Sequence, residues 1–237
     1  MKEPLIVLTG PTASGKTALS IELAKAIGGE IISADSMQVY RQMDIGTAKI
    51  RPEEMEGIPH YLVDVLEPDA SFNVVIFQQM AREAMARIRA NGHIPIIVGG
   101  TGFYIQAILN DIDFKENEDD GYRSHLEVMA ASDGGPERLY EMLKEVDPGS
   151  TEKIHCHNTK RVIRALEYFH QTGQKISEHN EQESGKESPY NFAYFVLNRP
   201  REVLYERIDQ RVDQMMEEGL LEEVKSLRER GCHRGMV

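Results

Sequence analysis

The sequence predicts an α/β fold, a parallel-sheet core interrupted by an inserted helical domain. Three observations lead there. In the first part of the chain, short apolar runs alternate with helix-patterned stretches, the order that gives a parallel sheet with helices on both faces. The alternation breaks near Asp111, and no strand pattern is evident from Phe114 to about Tyr190. Strand character then returns at Phe192–Leu197.

The core elements follow in order. Leu5-Ile6-Val7-Leu8 reads as a buried parallel strand. It runs into Gly10-Pro11-Thr12-Ala13-Ser14-Gly15-Lys16-Thr17, the G-x-x-x-x-G-K-T pattern of a phosphate-binding loop. A helix follows, with Leu19, Leu23 and Ile27 on one face and Gly28-Gly29 as its stop. Backbone N–H groups of such a loop, at a helix N-terminus, wrap a phosphate or diphosphate. Lys16 adds a cation, and the Thr17 hydroxyl reaches a bound magnesium. The core is therefore P-loop NTPase-like. Glu30–Ala34 is a short strand ending at Asp35, and His60–Val65 reads as a third strand. From Asn73 to Ala90 a helix carries Phe77, Met80, Ala81, Ala84, Met85 and Ile88 as one apolar stripe, and Asn91-Gly92 stops it. Ile94–Val98 is a buried strand, and Gly99-Gly100-Thr101-Gly102 turns into the next helix.

The insertion, expected over residues 113–189, opens on an acidic run from Lys115 to Gly121. Helical patterns cover Tyr122–Ala131, Pro136–Glu145 and Thr159–Thr172, with Gly173 as a C-cap. Asp147–Ser150 reads as a turn, and Gln182–Pro189 as a polar linker. Residues 190–237 rejoin residues 1–112 in the core, with one or two helices over Pro200–Arg230.

Composition bounds the function. At 237 residues, 41% hydrophobic and 28% charged, the chain suits one large or two small globular domains. It shows neither a membrane-length apolar run nor a signal peptide, so the expectation is a cytoplasmic protein without a membrane partner. Cys156 and Cys232 are too few for a disulfide framework. The net charge of −12 argues against nucleic acid as a partner unless the cations cluster. They do so twice. Lys160, Arg161 and Arg164 share one helix, and Arg199, Arg201, Arg207 and Arg211 lie near the return to the core. Each cluster also reads as an ordinary solvated face. Asp35, just past a strand's carboxyl end, reads equally as a magnesium ligand or general base and as a helix N-cap. The glycines around Thr101 allow either close approach to a ligand or a tight turn. No Asp ends the Ile94–Val98 strand, which weakens ordinary ATP hydrolysis. His155-Cys156-His157 does not make a metal site, because adjacent residues rarely converge on one ion.

Six segments, in order along nearly the whole chain, resemble the bacterial tRNA dimethylallyltransferases (tRNA isopentenyltransferases). They are Gly10–Thr17, Ser33–Tyr40, Met43–Lys49, Val98–Gly102, Arg161–Glu167 and Arg207–Met215. The resemblance implies transfer of a dimethylallyl group from dimethylallyl diphosphate to N6 of the adenosine beside the anticodon, position 37 of tRNA, releasing diphosphate. The alternative is an adenylate isopentenyltransferase or a small-molecule kinase. Both would use the same ATP-type loop, but neither requires the basic insertion.

On the resemblance, the loop Gly10–Thr17 holds the donor's diphosphate and magnesium sits at Thr17. Lys16, Thr17 and Arg211 act on the diphosphate, and Asp35 is the general base. tRNA contacts fall at Asp35, Ser36, Met37, Gln38, Thr101, Arg123, Lys160, Arg161, Val162, Ile163 and Arg164. The partners implied are the tRNA anticodon stem-loop and dimethylallyl diphosphate, with a monomeric enzyme. Two departures stand out. His155-Cys156-His157-Asn158 replaces the usual His-Pro-Asn-Asp, which alters local loop geometry. The chain also reaches Val237 where family members usually continue through further helices, so weaker RNA affinity is expected.

Overall fold

A computed structural model describes residues 2–114 and 120–232. Residues 115–119 of the expected acidic run lie outside the described residues. Two compact units emerge, one formed by residues 1–112 with 188–237 and the other by 113–187.

The first unit is built on five parallel strands. They are β1 (Glu3–Thr9), β2 (Gly29–Ser33), β3 (His60–Tyr61), β4 (Ile94–Gly99) and β5 (Tyr190–Val196), in the order β3-β2-β4-β1-β5. Helices α1 (Lys16–Ile27), α2 (Val74–Ala90) and α3 (Gly102–Leu109) supply the crossovers. A parallel strand needs both faces covered, which explains the unbroken apolar runs in β1 and β4. Leu5, Val7, Ile32, Ile97, Phe77, Met85, Ile88, Ile105 and Ile108 form one core cluster. Asn73 caps α2, its side chain accepting from the N–H groups of Val75 and Ile76. The expected stripe of α2 is buried at Phe77, Ala81, Ala84, Met85 and Ile88, and Met80 packs against the same core.

Several expectations need correction. The third strand stops at Tyr61 instead of reaching Val65, because Leu62 and Asp64 adopt left-handed backbone (φ 61° and 58°) that no strand accommodates. Helix α1 buries Ser20, Ile21 and Ala24, and Leu23 and Ile27 of the expected face pack against the same cluster, while Leu19 is 44% exposed. Ser20 is tolerated there because its hydroxyl donates to the Thr17 carbonyl (2.7 Å). After β5 come two helices, α9 (Arg201–Glu218) and α10 (Leu220–Glu229), separated by Gly219 at φ 103°.

The second unit is helical: α4 (Tyr122–Ala130), α5 (Gly135–Val146), α6 (Pro148–Thr151), α7 (Thr159–Thr172) and α8 (Ile176–Ser184). Leu126, Leu139, Leu143, Val162, Ile163, Ala165 and Leu166 form its core. The stretch expected to be a linker from Gln182 is in part the end of α8. Its Glu183 is buried and accepts from Lys186 (2.6 Å) and from the Asp113 N–H (3.4 Å). The expected turn at Asp147–Ser150 is the short helix α6, capped by Asp147.

Asp147 is fully buried and accepts from the N–H and hydroxyl of Ser150 (3.2 and 2.6 Å) and from the N–H of Ser177 (3.0 Å) and its hydroxyl. Burial pushes its pKa up. The hydrogen bonds from Ser150 and Ser177 outweigh that and leave it below the ordinary carboxylate value. A lowered native pKa contributes stability that is complete above the unfolded value of about 3.9 and is lost as pH falls through the native one. Asp147→Asn should therefore destabilise the protein by about 1–3 kcal/mol at neutral pH, since an amide N–H2 would face donors. Urea titrations from pH 7 to 3 should show the two proteins converging only below about pH 4.

Candidate functional site

The carboxyl ends of parallel strands form the crevice in which such sheets bind ligands. Four chain segments meet there, because β2, β4, β1 and β5 are consecutive neighbours. They are the loop after β1, the turn at Asp35 after β2, the turn at Thr101 after β4, and residues Leu197–Arg199 after β5.

Two glycines permit the convergence. A Cβ on Gly99 would lie 2.3 Å from the Ala34 carbonyl oxygen. Only glycine lets β4 pass that close to the residue before Asp35. The Ala34 N–H then donates to Val98 O (2.8 Å) and the Thr101 N–H to Ala34 O (3.3 Å), which fixes Thr101 beside Asp35. A Cβ on Gly10, at φ 152°, would lie 2.3 Å from Leu197 O, so the phosphate loop presses against the end of β5. In the loop itself Ala13 holds a left-handed backbone (φ 63°). Such strain in a residue other than glycine is characteristic of ligand clamps.

The loop's polar groups are set for an anion. Helix α1 begins at Lys16 and has no acidic residue in its first turn, so its N-terminus is electrostatically open. Ser14 is buried, and among the described residues its hydroxyl has no hydrogen-bond partner, the state of a group that a ligand oxygen completes. The Lys16 ammonium donates to the carbonyls of Gly10 and Pro11, both at 2.8 Å, which holds it along the loop. Burial is the main reason its pKa is lowered. Asp35 opposes that shift and Arg211 adds to it. Arg211, half-buried on α9, has its own pKa lowered by burial and raised by Asp35. Lys16, Asp35 and Arg211 thus sense one another although they come from three distant parts of the chain.

Asp35 shows the capping half of its two sequence readings, at a turn rather than a helix. Its Oδ1 accepts from the N–H groups of Met37 (2.8 Å) and Gln38 (3.2 Å), as a cap does. This fixes the carboxylate at a place where Lys16 and Arg211 feel its charge. Thr17 is exposed in the first turn of α1. A hydroxyl and a carboxylate are the hard oxygen donors that magnesium takes, so the residues present fit that ion.

Sequence reasoning did not assign Arg199 to the loop. Its Nε donates to Ser14 O (3.0 Å), and its guanidinium lies 3.8 Å from the position of a Cβ on Gly15. The only signal was its place in a basic cluster. Gln38, expected to contact RNA, instead turns its side chain inward. Its Nε2 donates to Thr47 O and Ala48 O, both at 3.2 Å, and its Oε1 accepts from the Ser33 hydroxyl (3.3 Å). Ser36 and Met37 remain partly exposed.

In the helical unit, Arg123 and Arg164 converge on Glu167, at 3.3 and 3.0 Å. Arg123 also pairs with Glu127 (3.0 Å), and Lys160 and Arg161 are exposed on the same helix as Arg164. Val162 and Ile163 are 0% and 4% exposed in the unit's core. Their side chains do not form the RNA-facing surface that the motif alone suggested, since at 3.6 residues per turn they point opposite to Arg161 and Arg164.

Comparison with known proteins places these observations in a family. Residues 38–236 match the family described as IPP transferase. The tRNA dimethylallyltransferase of Lachnoclostridium phytofermentans is 61% identical over 236 residues, covering 99% of this chain and 75% of that protein. The crystal structure of the full-length tRNA isopentenylpyrophosphate transferase of Bacillus halodurans is 45% identical, with a TM-score of 0.69 over 98% of this chain and 72% of that one. A eukaryotic dimethylallyltransferase acting on tRNA is 35% identical, with a TM-score of 0.81 over 96% of this chain and 56% of that one. Phosphate loop, strand-end carboxylate and facing arginine accordingly sit on a chain that belongs to the IPP transferase family, that of the tRNA dimethylallyltransferases.

Proposed function

We propose that the chain transfers a dimethylallyl group from dimethylallyl diphosphate to N6 of the adenosine at position 37 of tRNA, releasing diphosphate. The observation that carries this reading is the grouping of Lys16, Asp35 and Arg211 at the phosphate loop. It joins a leaving-group clamp to a base in one crevice.

The chemistry divides between them. The bond from the allylic carbon to the diphosphate oxygen breaks, and the oxygen keeps the electron pair. Charge therefore grows on the diphosphate in the transition state. Lys16, Arg211 and the loop N–H groups stabilise it in a half-buried site, where such interactions are stronger than in bulk water. Arg199 holds the loop by its bond to Ser14 O and adds positive charge beside it. Magnesium, when bound at Thr17, supplies further neutralisation of the diphosphate. On the other side, the adenine N6 forms its bond to the allylic carbon and gives up a proton. Asp35 receives it, a carboxylate fixed through Oδ1 by two N–H groups with its second oxygen available as the base. The target adenine reaches this crevice unstacked from the anticodon loop. Arg123, Lys160, Arg161 and Arg164 of the helical unit serve the RNA backbone, with Ser36, Met37 and Thr101 near the base. Single-stranded loops are read by such splayed bases and side contacts.

Labelled dimethylallyl diphosphate should transfer its label to tRNA carrying adenosine at position 37, in a magnesium-dependent way, and not to AMP. A preference for AMP, or ATP consumption without label transfer, would sink the reading. Asp35→Asn should lower kcat by about 10²–10⁴-fold with donor affinity changed less than about twofold. A variant turning over at the parental rate removes Asp35 as the base. Arg199→Ala should weaken donor binding by about tenfold, the loss expected of one charge-assisted contact. Equilibrium binding of the diphosphate in magnesium buffer measures this directly.

A further inference from the structure

The hairpin of α9 and α10 carries Arg211 yet has no fully buried residue in either helix. Apolar packing therefore contributes little to its seat. Among the described residues of the two helices, Leu227 is the one that packs against the small cluster of Val39, Tyr40 and Met43. Polar contacts must define where the hairpin lies, and one of them is unlike the rest. The Glu223 carboxylate accepts three consecutive backbone N–H groups: Asp44 and Ile45 at Oε2, both 2.8 Å, and Gly46 at Oε1, 3.0 Å. Gly46 is closed off on this side, since a Cβ there would stand 3.2 Å from Leu220 and 3.4 Å from Glu223. The Arg51–Glu218 pair is largely exposed and contributes little by comparison.

From this nest a path of hydrogen bonds and short chain segments leads to Asp35. The segment that Glu223 holds continues into Thr47 and Ala48, whose carbonyls accept from the Gln38 amide. The Gln38 N–H in turn donates to Asp35 Oδ1. Glu223 thus fastens the helix pair bearing Arg211 to the turn bearing Asp35. The Asp35 charge reaches Arg211. Catalytic groups held within a fraction of an ångström are worth far more than the same groups left loose.

We propose that Glu223 is a positioning residue for the transfer reaction, setting Asp35 against Arg211 through the segment 44–48 and Gln38. The inference rests on the reaction assigned above. The variant Glu223→Ala should lower kcat for transfer to tRNA by about tenfold or more, with KM for dimethylallyl diphosphate within about twofold of the parent. Glu223→Gln, which keeps one carbonyl oxygen for the nest, should fall between. Hydrogen exchange, read with magnesium and inorganic diphosphate present, should show faster exchange of the amides at 44–46 and at 37–38 in Glu223→Ala. A parental kcat, or a kcat loss matched by an equal loss of folded protein in thermal melts, overturns the proposal. If the parent chain itself transfers nothing, the assigned reaction has failed, and the exchange measurement still decides the coupling. Faster exchange at 37–38 upholds it, and unchanged exchange there overturns it.

Discussion

Two cations, Lys16 and Arg211, are held near one another in a half-buried site with Asp35 as the negative charge that both sense. That arrangement is unfavourable on its own terms. Burial lowers the pKa of each cation, and Arg211 lowers that of Lys16 further. Asp35 only partly compensates. The site is therefore preorganised for more negative charge than it contains, which in the proposed reaction a diphosphate supplies. This is electrostatic preorganisation, in which the folding of the surrounding elements has already met the cost of gathering like charges.

The scaffold meets that cost with close backbone approaches rather than with ion pairs. Gly99 against Ala34 and Gly10 against Leu197 bring four loop segments together at one sheet edge. Each segment is then fastened by backbone hydrogen bonds, such as Leu197 N–H to Thr9 O at 2.7 Å. Rigid positions of this kind leave Lys16 and Asp35 little freedom to move relative to one another. The same logic explains why Lys16 lies along the loop carbonyls of Gly10 and Pro11. A neutral acceptor restrains the ammonium without cancelling its charge.

The parts legible in the sequence were those whose cause is local. A phosphate loop needs glycines, a lysine and a hydroxyl at fixed spacing, so its chemistry is written in eight consecutive residues. The five-strand parallel sheet followed from apolar runs separated by helices. What escaped depends on distant partners. Arg199 meets Ser14 across most of the chain, and Gln38 is claimed by Thr47 and Ala48 rather than by solvent. The last turn of α8 looked like linker because it is polar, yet Glu183 is buried against Lys186 and the Asp113 N–H. The face of α1 was right at Leu23 and Ile27 but not at Leu19, because leucine spacing outweighed the small residues that the sheet admits, Ser20 and Ala24. Leu62 and Asp64 carry no letter that announces their left-handed backbone, so the third strand looked longer than it is.

The net charge of −12 bears on how such a protein handles RNA. Phosphates are repelled by most of an acidic surface, and attraction has to come from a local group of cations. At physiological ionic strength exposed charges beyond about 8 Å are largely screened, so a compact group suffices. Glu167 gathers Arg123 and Arg164, and Lys160 and Arg161 extend the group along α7. Because Glu167 is shared between two arginines, it orients both while the group keeps a net positive charge. With such a patch as the proposed RNA contact, an acidic chain is expected to favour RNA whose phosphate pattern matches the patch. Charge then serves discrimination more than affinity. In the proposed reaction this is the useful bias, since the enzyme must find one adenosine among many and the chemistry at the phosphate loop cannot itself tell them apart.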